Sequence, residues 1–149
     1  MGRLLTRART DATSTEIQAS VAYLAAPTWR WSSTLDMRDF THLALFFDPI
    51  VIVSVTVVEI VLAWSDDGTT IPFTDENYQQ QSDFNLPTFT DGSFNPKTYT
   101  ARLATADGSL VANEGKHFVF PVNGGFCRIG VRGDTTNGSY ALRAQRLVS

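Results

Sequence analysis

At 149 residues the chain suits one domain, large enough to bury a core without staples. Its net charge of −3 lacks the basic excess of a dedicated nucleic-acid binder, and its single cysteine, Cys127, excludes an internal disulfide framework. The charge is uneven: Arg3, Arg7 and Arg9 give the first ten residues +3, whereas nine acids face only Lys97 and Arg102 between Glu59 and Glu114.

Residues 1–15 are rich in Arg, Thr, Ala and Ser and show no apolar face, which predicts a flexible basic arm. They also lack an apolar h-region, so no secretory signal is expected. Residues 16–149 then form the predicted single domain. Ile17 to Ala26 fits two patterns. Thr13 and Glu16 match a capping box with Ile17, Val21 and Leu24 on a helix face, while Ile17, Ala19, Val21 and Tyr23 alternate as a strand. The β character of the residues beyond Pro27 favours the strand.

Trp29 and Trp31 alternate with Thr28 and Arg30, which places both rings on one face. Phe40 to Phe47 reads as a strand leading into an Asp48-Pro49 turn. Leu43 to Trp64 is the most hydrophobic stretch, dominated by Val, Ile and Thr, whose branched side chains favour a pleated backbone. Asp48, Pro49 and Glu59 interrupt it, so no clean apolar span of ~20 residues is left for a membrane helix. Its apolar phase flips after Val57. That predicts a long central strand with a bulge, or a strand that leaves one sheet for another. Ser65-Asp66-Asp67-Gly68 is a strong stop.

Thr69 to Asn95 is polar and dotted with aromatics without a regular period, and is expected to pack over one end of the domain with short strands of its own. Thr98 to Ala104 and His117 to Val122 alternate as strands. Phe126–Gly133 and Ser139–Val148, joined by the turn-rich Asp134-Thr135-Thr136-Asn137-Gly138, read as a hairpin. Seven to nine strands at this spacing predict an all-β fold: an antiparallel β-sandwich, jelly-roll-like, with the N-terminal arm extended from it.

Motifs for chemistry are sparse. There is no phosphate-binding glycine loop, no nucleophile elbow and no Cys or His cluster at metal spacing. His42 and His117 read as sheet histidines, Cys127 as a buried thiol, and Asp66-Asp67-Gly68 as a turn before it reads as a calcium ligand set with Asp75 and Glu76. Arg132-Gly133-Asp134 spells a cell-adhesion tripeptide but joins a strand to a turn. Trp29 and Trp31 are expected in the core or in a buried interface; an exposed pair would offer a sugar-stacking platform, the mark of a carbohydrate-binding module. No catalysis, cofactor or metal, and no membrane or direct nucleic-acid partner, is expected.

Four segments carry a resemblance: the basic Thr/Ala/Ser-rich arm, W-S-S-T-L-D-M (31–37) leading into F-T-H-L-A-L-F-F (40–47), the Val-rich stretch ending in W-S-D-D-G-T-T (64–70), and G-F-C-R-I-G-V-R-G-D (125–134). Together they resemble small β-sandwich virion proteins of tailed bacteriophages, in particular head decoration (cement) proteins and tail or fibre accessory proteins. The resemblance implies a non-enzymatic homo-oligomer, most often a trimer, made in the host cytoplasm and located in the virion. It also implies that the protein stabilises the head by bridging major capsid protein subunits through an N-terminal arm. No capsid-contact residue carries over from the family, and the charge of Arg3, Arg7 and Arg9 fits either a contact arm or a solvated tail. An arm of ~15 extended residues reaches up to ~50 Å, far enough to cross a subunit boundary.

Overall fold

The computed structural model describes residues 10–11, 13–69, 73–74 and 99–148. Ten strand segments lie among them: β1 (Thr15–Ala22), β2 (Arg30–Trp31), β3 (Leu35–Asp36), β4 (His42–Val51), β5 (Val57–Ser65), β6 (Phe73–Thr74), β7 (Ala101–Ala104), β8 (Lys116–Pro121), β9 (Phe126–Gly133) and β10 (Ser139–Leu147). They build two antiparallel sheets packed face to face. Sheet I has the order β1-β10-β4-β8. In sheet II, β9 and β5 form the centre, β2 and β3 flank β9, and β6 and β7 flank β5. Taking β2 with β3, and β6 with β7, as interrupted strands leaves four positions per sheet, and the chain winds between the sheets as in a jelly roll.

Alternation decides which side chains enter the core. Leu43, Leu45 and Phe47 of β4 and Tyr140 and Leu142 of β10 face Ile60, Leu62 and Trp64 of β5 and Ile129 and Val131 of β9, all essentially inaccessible to solvent. Cys127 lies in this core as a buried thiol. The ambiguous N-terminal segment is the strand β1. A helix of about ten residues is marginal alone, whereas the edge of β10 supplies ladder hydrogen bonds. Register shifts around Gln18, with Ser20 at φ 47°, turn both Ile17 and Gln18 toward the core, where Gln18 Oε1 accepts from the Tyr140 hydroxyl at 2.7 Å.

Three expectations require correction. The stretch Leu43 to Trp64 is not one bulged central strand; it changes sheet, the other reading of its phase flip, with β4 in sheet I, β5 in sheet II and Ile52–Thr56 as the arch between them. Val53, expected within the strand, is 81% exposed at that arch. Nor is Asp48-Pro49 a turn, because both residues pair with β10 inside β4. The Pro49 carbonyl accepts from Asn113 N on the β8 side, beyond the last β8 pair at Phe47, so no ladder partner is lost by the missing N–H.

The third correction concerns the closing hairpin. β9 and β10 do not pair; Asp134–Gly138 is another arch, carrying the chain from sheet II to sheet I. The two arches brace each other. Asp134 accepts from Thr56 N at 2.9 Å, from Val57 N at 3.3 Å and from the Thr56 hydroxyl, while Ser54 N donates to the Asn137 carbonyl. Burial alone would raise the Asp134 carboxyl, but these donors bring it below its ordinary value. Gly138 closes the second arch, where a Cβ would lie against the Val51 carbonyl and the Tyr23 ring.

Candidate interaction surface

Sheet I turns an open face outward. Across it the register aligns Glu16 of β1, Arg143 of β10, Phe46 of β4 and His117 of β8 in one row over four adjacent strands. His117 stacks on Phe46 with ring centroids 4.5 Å apart and planes within 4°. Arg143 is held flat by Ser14, whose hydroxyl accepts at 2.9 Å and carbonyl at 3.0 Å, and its guanidinium is 3.8 Å from Glu16. On one side of this row the central strands carry Ala141 and the exposed Asp48, and on the other Gln145 and Ala44. A groove of about 520 Å³ opens beside the row, floored by Phe46 and Ala141 and walled by Lys116 and Arg143. Val119, half exposed on the outer strand β8, extends the apolar surface. Lys116 and Pro121 bracket β8, the kind of protection an edge strand needs against indiscriminate pairing.

The outward face of sheet II is covered by the chain itself. Trp31 lies on β9 at Gly130, where a Cβ would come within 2.9 Å of both the Trp31 ring and Val61. Trp29 is 2% exposed, with its ring 6.3 Å from that of Trp31. Arg132 sits over Trp29 at 4.1 Å and donates to Glu59 at 2.8 Å; Arg128 sits over Trp31 at 5.8 Å and donates to the Ser32 carbonyl at 2.9 Å. These are cation–π contacts in a largely dry setting, so the two tryptophans seal the sheet and Trp29 offers no ring face for a sugar. The same geometry uses up the Arg-Gly-Asp tripeptide. Arg132 is buried in the ion pair, and Asp134 is committed to the arch.

A third cluster ties the chain ahead of β1 to both sheets. Arg146 of β10 grips Asp11 with two nitrogens, at 2.9 and 3.1 Å, donates to the Asp36 carbonyl of β3 at 3.0 Å and lies 4.7 Å over Phe40. Burial would raise the Asp11 carboxyl, but the Arg146 hydrogen bonds and charge hold it below its ordinary value. Hydrogen bonds from Arg38 hold Asp36 down to about 2. Arg3, Arg7 and Arg9 of the expected arm lie outside the described residues. Of the rest of residues 1–15, Thr10 and Asp11 bond to the end of β10, Ser14 holds Arg143, and Thr15 opens β1. Nothing in the sequence singles out Arg143 and Arg146, because an arginine in an alternating strand looks like an ordinary solvated position.

The remaining candidates are separate. His42 Nδ1 is 3.0 Å from the neighbouring Thr41 hydroxyl, and its strand position opposite Pro121 keeps it away from His117. Asp67 accepts from the Ser65 hydroxyl and Thr69 N, closing the turn after β5; Asp75 and Glu76 lie outside the described residues. Among the described residues no three His, Cys, Asp or Glu side chains gather as a metal site, and no helix is long and apolar enough to cross a membrane. No family model, curated protein or solved structure matches the chain.

Proposed function

We propose that this chain is a non-enzymatic structural protein of a tailed-phage virion, a decoration protein that stabilises the head by binding major capsid protein subunits. The observation that supports it is the asymmetry of the sandwich. One sheet is covered by the chain's own tryptophans, and the other presents an open face of aromatic, charged and small side chains, the composition of a protein contact rather than of a small-molecule site. Bolting Asp11 to Arg146 adds a fixed point of departure for the basic residues Arg3, Arg7 and Arg9, two positions and more upstream. Within the virion class the sequence resemblance also covers tail, baseplate and fibre accessory proteins.

Antibody raised against the purified protein and applied to virions carrying this sequence tests the reading. Gold label distributed over the heads is the expected result. Label confined to tails would move the protein to the accessory class, and unlabelled virions with abundant free protein would overturn the proposal.

A further inference from the structure

The row Glu16–Arg143–Phe46–His117 contains its own complement. Its members are fixed: Arg143 by Ser14 and Glu16, Phe46 and His117 by their mutual stack, so little ordering entropy remains to be lost on contact. Two symmetric ways of laying a second sheet I on the first have opposite electrostatic signs. A two-fold axis running across the strands sets Glu16 on its own copy and Arg143 on its own copy, which is repulsive. An axis running along the strands, midway between β10 and β4, reverses the row. Arg143 then stands over the partner copy's aromatic at Phe46, and Glu16 faces the imidazole at His117.

We propose that the outer face of sheet I is a self-association surface, on which a second copy packs face to face about a two-fold axis lying along the strands between β10 and β4. This keeps the strands of the two copies aligned, as in the ordinary packing of sheets at a separation of ~10 Å. The four strands offer a face of roughly 20 by 20 Å, about 400 Å² per copy, against the ~800 Å² of a standard interface. Association is therefore weak and concentration-dependent. Ala141 then faces the partner copy's Asp48, and the groove beside them leaves room for water, in keeping with a small, wet contact. The inference does not depend on the virion reading, and it sets a two-fold contact in place of the trimer that the sequence resemblance implies.

Sedimentation equilibrium of the full chain, from about 10 µM to about 1 mM at low salt, tests it. The mass of a dimer is expected to emerge across that range. The double exchange E16R/R143E keeps an ion pair within each chain but places Arg opposite His117 and Glu opposite Phe46, and weakens the dimer roughly tenfold or more. His117 is exposed and lies three strands from Glu16 of its own chain; its variants lose the stack on Phe46 alike, so the difference between a lysine and a glutamate there reports the contact. H117K should tighten the dimer several-fold and H117E loosen it by a similar factor. A monomer throughout, a trimer, or a dimer indifferent to all three variants would overturn the proposal.

Discussion

The two outer faces of this sandwich are built from the same residue types and put them to opposite uses. On sheet II, Arg132 is wedged between the Trp29 ring and Glu59 and is almost wholly buried, and Trp31 is pressed onto Gly130. On sheet I, Arg143 and Phe46 occupy comparable cross-strand positions, yet the arginine side chain keeps 45% of its exposure and the aromatic stacks on an exposed histidine. The first face is closed because β2 and the residues leading into it deliver two indoles to it. The second has nothing of the kind among the described residues. A buried arginine holds a fold together, whereas an exposed one held rigid is available to something else.

The contrast can be broken most directly through the two arginines and the glycine. Arg132→Ala strands the Glu59 carboxylate in a partly dry site and uncovers Trp29, so it should cost about 3 kcal/mol by urea unfolding. A loss below about 1 kcal/mol would mean that the sheet II face is not closed as described. Gly130→Ala forces a methyl group against Trp31 and Val61, neither of which can swing aside cheaply, and should cost about 2 kcal/mol. Its tryptophan emission should shift to the red as Trp31 lifts, and an unshifted spectrum would place that ring elsewhere.

Acid should act on the clasp between the sheets rather than on either face. Asp11 and Asp36 both have folded-state carboxyls held below their ordinary values, by Arg146 and Arg38 respectively. Groups depressed in this way contribute stability above their unfolded values near ~3.9, and lose it as the pH falls toward the folded value, which for Asp36 is about 2. Stability should thus be level from neutrality to about pH 4.5 and decline below it, less steeply in Asp11→Asn, because one of the depressed carboxyls, which also include Asp134 of the arch, is removed. An acid limb unchanged by that substitution would detach Asp11 from Arg146. The smallest effect belongs to Arg143→Ala, on the open face, where stability should change by less than about 1 kcal/mol.

The sandwich and its jelly-roll character were legible in the alternation of β4, β7, β8 and β10. The burial of Trp29 and Trp64 was also within reach, since indoles in an alternating apolar pattern sit in cores or interfaces by default. The Ile52–Thr56 arch was legible only as a flip of apolar phase after Val57, which left a bulged strand and a change of sheet both open. Ile52, Val53, Ser54, Val55 and Thr56 include no Gly, Pro, Asn or Asp, because the carboxylate that stabilises the bend is Asp134, which lies 78 residues downstream of Thr56. For the same reason Asp134–Gly138 looked like a hairpin. Its turn residues are those of a hairpin, and only the partner arch reveals that it crosses between sheets. The row on sheet I was invisible for a related reason. Glu16, Arg143, Phe46 and His117 are scattered over 128 residues and meet only through the register of three strand pairs.

The difference between the faces is tested most directly by hydroxyl-radical footprinting of the full chain at low and high concentration, read residue by residue. Concentration-dependent protection at Phe46, His117 and Val119, with Trp29 and Trp31 equally guarded at both concentrations, is the predicted result. Protection that grows at the tryptophans while the sheet I row stays reactive would contradict the account.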